Sequence, residues 1–296
     1  SLVGSEMCIR DRVASGQIIP GLRFTSSGLR SYDLPLHSSL APCPYKKARI
    51  QRLFSGKIRG LYIRYAVDEF LMNEMDYNQA RFNMVEQQVR PWDVLDPRVL
   101  NVISNIPREQ FVPEESMQLA YADMRIPIGE YEGRTSHMLN PVIEGRMMQS
   151  LAITEDDTVL QIGTGTGYIT ACMATLARHV DSVDINPEMI ALAEKNLARF
   201  EIANVTLSTG DGSSQWEQKP FYDCIAIMGS MPEVPEFYKK ALKEDGGRMF
   251  VVVGEAPVMK ALLVTRIGKN EWTLDELFET CIDPLINAER PAEFVF

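Results

Sequence analysis

The chain is poor in the residues that build metal centres, disulfide frameworks and membrane anchors. Histidine occurs three times in 296 residues, at His37, His137 and His179, never at metal-ligand spacing. The five cysteines, Cys8, Cys43, Cys172, Cys224 and Cys281, are scattered and form no CxxC pair. An odd, sparse set of this kind fits free thiols in a reducing cytoplasm better than a disulfide framework. No run of 18 apolar residues occurs, which excludes an expected membrane-spanning helix. The opening SLVGSEMCIRDR lacks the apolar segment of a signal peptide. A net charge of −10 argues against binding nucleic acid through a broad basic surface. No internal repeat is present. The remainder is a chain with the apolar content of an ordinary globular protein, 45%, and length for one or two domains. The expectation is a cytoplasmic monomer that binds no metal, nucleic acid or membrane.

Charge divides the chain unevenly. Residues 1–74 hold 11 Lys+Arg against 6 Asp+Glu, whereas the remainder holds 19 against 34. The first segment also mixes breakers (SGQIIPG, TSSG, SSLAPCP) with short basic runs and sustains no periodicity, which is poor material for a core. Its first residues resemble the translation of a sequencing adapter, and a targeting arm is the alternative. The expected division is a disordered or non-native extension over 1–74 and a folded domain over 75–296. Within the domain, a helical and loop part (75–150) precedes a cofactor-binding part (151–296).

The most informative stretch is Val159 to Ala171, VLQIGTGTGYITA: an apolar strand, a GxGxG loop at Gly163, Gly165 and Gly167, and a first helical turn. Glycine reaches positive φ and lacks a Cβ, so such a loop turns sharply and lets a ligand approach the backbone. The helix behind it directs unpaired N–H groups at that ligand. Strand, glycine loop and helix together point to a nucleotide-type cofactor. Asp184 follows Gly167 by 17 residues, at the tip of the next strand, HVDSVDI. It is placed to accept hydrogen bonds from ribose hydroxyls, or to be a solvated strand-end carboxylate. Gly210-Asp211-Gly212 follows a third strand, Val205 to Ser208; Asp211 reaches toward an adenine amino group or simply makes a turn.

The pass along the chain predicts helices near 75–89, from Asp96-Pro97 to Pro107, and over 141–151, with a linking region over 111–133. From Val159 the order is strand, helix 168–177, strand 180–185, helix 187–199, strand 205–208, strand 223–228, helix near 235–243 and strand 248–253. Residues 261–267 and 272–280 form a closing antiparallel pair. Strands that alternate with helices and read as near-continuous apolar runs give an α/β fold with a buried, mostly parallel sheet. Trp92, Trp216 and Trp272 read as packing or edge aromatics, and Cys172 as a buried structural thiol. His137 reads as a solvated loop residue, with contact to a substrate as the alternative.

Residues 75–296 resemble the protein-L-isoaspartate O-methyltransferase family. The resemblance rests on IPREQFVPE (106–114), RIPIG (125–129), NPVIEGRM (140–147), VLQIGTGTGY (159–168), SVDI (182–185), GDG (210–212), DCIAIMGSMPEVP (223–235) and EDGGRMFVVVGE (244–255). It implies a Rossmann-like class I methyltransferase that uses S-adenosyl-L-methionine (SAM). It further implies methylation of the α-carboxylate of L-isoaspartyl residues in damaged proteins, after which the ester collapses to a succinimide and reopens partly to aspartate. By position, Gly163, Thr164, Gly165 and Gly167 face the methionine end of SAM. Asp184 and Ile185 meet the ribose, Asp211 and Gly212 the adenine, and Pro127, Ile128 and Gly129 the substrate.

Two positions depart from the family. Counted back from Pro141, Leu139 stands where the family carries its active-site serine, in a loop about four residues longer; Ser136 is a candidate hydroxyl from that loop. Gln161 stands where the family carries an acid before the glycine loop. Leu139 keeps a second reading open, a SAM-binding homologue with lost or altered activity on another substrate. A nicotinamide-dependent oxidoreductase is a third, disfavoured by GxGxG spacing. A chain starting at Met75 is expected to melt within about 2 °C of the full chain, since removing an unpacked arm exposes little surface. Differential scanning calorimetry of the two chains checks this.

Overall fold

A computed structural model of the protein describes residues 77–288, apart from 215, 217 and 218. The division at residue 74 lies outside the described residues. An α-helical stretch over 77–84 (α1) runs into a π-helical turn, Val85–Val89, and a 3-10 turn, Arg90–Trp92, that ends with Asp93 at φ 61°. The helix predicted near 75–89 thus tightens before it ends. Asp96 caps α2 (Pro97–Asn105) by accepting the Arg98 N–H, and α2 buries Val99, Leu100, Val102 and Ile103.

The sheet has seven strands: β3 (Thr158–Ile162), β4 (His179–Asp184), β5 (Val205–Thr209), β6 (Cys224–Met231), β7 (Arg248–Glu255), β8 (Val258–Gly268) and β9 (Glu271–Thr280). Their order is β5-β4-β3-β6-β7-β8-β9. The first five in that order pair in parallel, whereas β8 and β9 are antiparallel. All five residues of β3 are buried, as are four apolar residues at the start of β6, so the middle of the sheet is covered on both faces. Helices α3 (Pro141–Leu151), α4 (Tyr168–Leu176), α5 (Pro187–Arg199) and α6 (Glu236–Ala241) complete the layers. The α/β class, the parallel sheet and the closing antiparallel pair are as the sequence predicts. Among the described residues, no helix is long and apolar enough to cross a membrane.

One element departs from expectation. Residues in the expected linking region and the loop after it form a hairpin, β1 (Ile126–Tyr131) against β2 (Arg134–Met138). Its turn is Glu132-Gly133, with φ of 50° and 74°. Positive φ at both central residues is the two-residue hairpin geometry that Asn-Gly or Asp-Gly normally announces. Glutamate at the first position concealed it.

The core beneath the hairpin contains a buried arginine–carboxyl pair. Arg108 has no exposed surface and donates to the Glu144 carboxyl and to the Leu139 carbonyl. Its guanidinium lies 4.9 Å from the centre of the Tyr168 ring, the first residue of α4. Two of the quoted sequence pieces, IPREQFVPE and NPVIEGRM, therefore meet as a hydrogen-bonded pair. Arg108 Nε and Glu144 Oε1 find no partner among the described residues. Burial pushes the Glu144 carboxyl up to about 8, against the pull of Arg108. A carboxyl raised in the fold contributes its stability below the unfolded value near 4.5 and loses it as pH climbs through the folded value. The wild type should therefore lose melting temperature relative to Glu144→Gln as pH rises from about 5 to about 8. A difference that stays flat across thermal melts in that range would show a carboxyl already ionised.

Candidate functional site

Starting from β3, the chain crosses the sheet through β4 to β5, then returns to the other flank of β3 with β6. At such a reversal the connections leave to opposite faces, and a crevice opens beyond the carboxyl ends of the strands. A cavity of about 460 Å³ occupies that place. Its floor is Ile162 and Gly163 after β3, Val183, Asp184 and Ile185 at β4, Gly210 to Ser213 after β5, and Met228 and Gly229 in β6. Two bonds past the strand ends hold these loops side by side: Gly163 N–H donates to the Val183 carbonyl at 2.8 Å, and Gly210 N–H to that of Asp184 at 2.9 Å.

The glycine loop is braced from beneath. Gly165 N–H donates to Asp184 Oδ2 at 2.8 Å, and Asn186 N–H to Oδ1 at 2.9 Å. Gln161 donates to the Gly163 carbonyl and accepts from the Thr170 hydroxyl, so the amide in the acid's place is buried with both ends bonded. Asn196 of α5 donates to the Thr166 carbonyl at 2.9 Å. Gly167 caps α4 with φ 87°; a Cβ there would stand 3.1 Å from that of Ala193, so both backbone and space require glycine.

Asp184 is largely enclosed. Burial raises its carboxyl, opposed by the N–H groups of Gly165, Asn186 and Thr164. A carboxylate has about four acceptor positions, so the two hydrogen bonds to Gly165 and Asn186 leave room for ligand hydroxyls. Asp211 accepts from Ser213 N–H at 2.9 Å and from Asn287 Nδ2 at 2.8 Å. Burial opposes its ionisation, but these bonds outweigh it and hold the carboxyl below its usual value.

The remaining walls come from the hairpin and from residues 283–286. Ile128, Arg134, Thr135, Ser136, His137 and Leu139 line one side. Asp283 to Ile286 line the other, pinned to β6 by Ser230 N–H on the Asp283 carbonyl and Leu285 N–H on that of Ser230. Asp283 bridges the two walls: Oδ1 accepts from Arg125 and Oδ2 meets His137 Nδ1, both at 2.6 Å. His137 is thus not a solvated loop residue. It sits in β2, half-buried and bonded, because Asp283 draws it over the cavity.

Of the residues the sequence singled out, Gly163, Gly165, Asp184, Ile185, Asp211, Gly212, Ile128, Ser136 and Leu139 line the cavity. Thr164 turns inward, its hydroxyl 2.6 Å from that of Ser182. Pro127 is exposed on the hairpin, and Gly129 lies against Met189. Sequence reasoning left out Met228, Gly229, Arg134 and residues 283–286. Met228 and Gly229 lie in the middle of the DCIAIMGSMPEVP piece and were within reach. Asp283 had no local signal, because its partner Arg125 lies 158 residues away.

The sequence model of the protein-L-isoaspartate(D-aspartate) O-methyltransferase family matches residues 80–289. The chain belongs to this family. The protein-L-isoaspartate O-methyltransferase of Protochlamydia amoebophila is 37% identical over 207 residues, covering 70% of this chain and 96% of that one. A solved protein-L-isoaspartate O-methyltransferase superposes with a TM-score of 0.61 at 25% identity, over 69% of this chain and 65% of that one. A putative protein-L-isoaspartate O-methyltransferase from Plasmodium falciparum, solved with S-adenosyl-L-homocysteine, gives 0.57 at 19% identity, over 71% and 97%; at that identity it speaks for the fold alone. The oxidoreductase reading falls with the family assignment.

Proposed function

We infer that this cavity is where the chain methylates the α-carboxylate of L-isoaspartyl residues in damaged proteins, with SAM as donor. The observation that carries the reading is the alignment of the glycine loop, Asp184 and Asp211 at three successive strand ends, in one cavity, in a member of this family. The residues fit the donor. At about 460 Å³ the cavity is within the range of roughly 300–1,000 Å³ usual for cofactor sites. Asp184 retains acceptor positions for a ribose, and Asp211 lies across from it on the next loop for an adenine edge. The glycine loop offers close backbone approach to the amino-acid end.

Bound SAM supplies an electrophilic methyl group on a sulfonium. The protein's own task is alignment and exclusion of water. A carboxylate, pKa about 4, is already the nucleophile at neutral pH and needs no general base. Ile128, Leu139 and Met228 give the cavity apolar surface that keeps water from the reacting atoms. Loss of the serine at 139 therefore removes one orienting hydroxyl and leaves the reaction itself intact. Cys172 and Cys224, buried and unpaired, support a cytoplasmic setting, and the acidic domain supports a protein or peptide partner over nucleic acid.

Tritiated methyl transfer from SAM to an isoaspartyl peptide, beside its aspartyl twin, tests the reading: label is expected in the first and not in the second. Asp184→Ala should weaken SAM binding by about 1.5–3 kcal/mol, the worth of charge-assisted hydrogen bonds, as measured by calorimetry. Unchanged affinity would place the ribose elsewhere.

A further inference from the structure

Among the described residues, His137 is the only histidine on the cavity wall, and nothing in the reaction so far uses it. It stands on β2 between Ser136 and Met138, two residues before Leu139. Its Nδ1 is held 2.6 Å from Asp283 Oδ2, while Asp283 Oδ1 is held by Arg125. No described residue bonds Nε2. Resting on the methyl-transfer reading of the cavity, we propose that His137 Nε2–H binds the substrate's isoaspartyl carboxylate in place of the missing serine hydroxyl. Asp283 is the positioning residue that fixes the ring.

The need comes from the wall itself. A carboxylate brought against Ile128, Leu139 and Met228 leaves water and requires a partner there. An imidazole bonded through Nδ1 to a carboxylate is set to donate through Nε2 in its protonated form. The charges suit this arrangement. Arg125 and Asp283 offset each other, so the Asp283 carboxylate leaves no net negative charge of the pair to repel the incoming carboxylate. In the transfer, a lone pair of the free carboxylate oxygen forms the O–CH3 bond as the S–CH3 bond breaks. The sulfonium becomes a neutral thioether, the carboxylate a neutral ester, and the His137 proton stays where it is. The hydrogen bond is charge-assisted with the carboxylate substrate and loses that assistance with the ester product, so His137 acts in holding the substrate more than in lowering the barrier.

The experiment measures kcat and KM on an isoaspartyl peptide for the full chain and five variants. His137→Ala should raise KM by about 10- to 150-fold, the range for one hydrogen bond to a charged group, with kcat within about threefold. His137→Gln, which keeps an N–H donor, should recover part of that loss. Asp283→Asn should raise KM in the wild-type background and leave it unchanged in His137→Gln, because Asp283 acts through the imidazole. SAM affinity and melting temperature, followed alongside, should be preserved in His137→Ala. Equal losses from Asp283→Asn in both backgrounds, or an unchanged KM in an active His137→Ala, would overturn the proposal alone. So would a KM increase in Ser136→Ala with none in His137→Ala. Wild-type protein that binds SAM and methylates no isoaspartyl peptide would overturn the underlying reading, and this proposal with it.

Discussion

A guanidinium with no exposed surface holds together the ligand-facing side of this fold. Arg108 gathers the Glu144 carboxyl of α3, the carbonyl of Leu139 and the face of Tyr168 at the start of α4. These are the end of the hairpin, the helix that follows it and the helix that follows the glycine loop. A buried charge of this kind is costly unless several partners surround it, and breaking such a pair from one side costs about 3–5 kcal/mol. The cost is met at the seam between the helical part of the domain and the cofactor-binding sheet, where Leu139 passes the cavity. The position that lacks the family's hydroxyl is thus rigidly fixed by its backbone.

The same logic governs the glycine loop. Its flexibility in sequence is spent on shape, and its shape is then fixed by Asp184, Gln161 and Asn196. Asp184 contributes at once to structure and to the cavity wall, since both oxygens carry a backbone N–H and both retain capacity. Gln161 shows why an acid is dispensable in β3. A neutral amide supplies a donor to the Gly163 carbonyl and an acceptor to Thr170, and a buried amide costs less than a buried carboxylate.

Much of this was legible in the sequence because it is local. The glycine loop, Asp184 and Asp211 each follow a short strand in an alternation of strands and helices, and that alternation announces a parallel sheet whose strand ends meet. The hairpin escaped because Glu132-Gly133 does the work of Asn-Gly without its spelling. The pairing of Asp283 with His137 escaped for a different reason. It is a contact across 146 residues, and neither neighbourhood carries a periodicity that points to the other. Arg108 and Glu144 fall between these cases. Each stood inside a piece of sequence that marked the family, but only the fold shows that the two pieces are halves of one interaction.

The wall formed by residues 283–286, with Asn287 on Asp211, has a consequence for synthesis. The glycine loop and the acids after it leave the ribosome well before that wall does. A nascent chain can pair its parallel strands and still have an open trough where the finished protein has a cavity. Stabilisation by a ligand reaches only states that bind it, so the donor favours most the state in which this wall is in place. It rewards the step in which residues 283–286 lie down beside β6 and close the site.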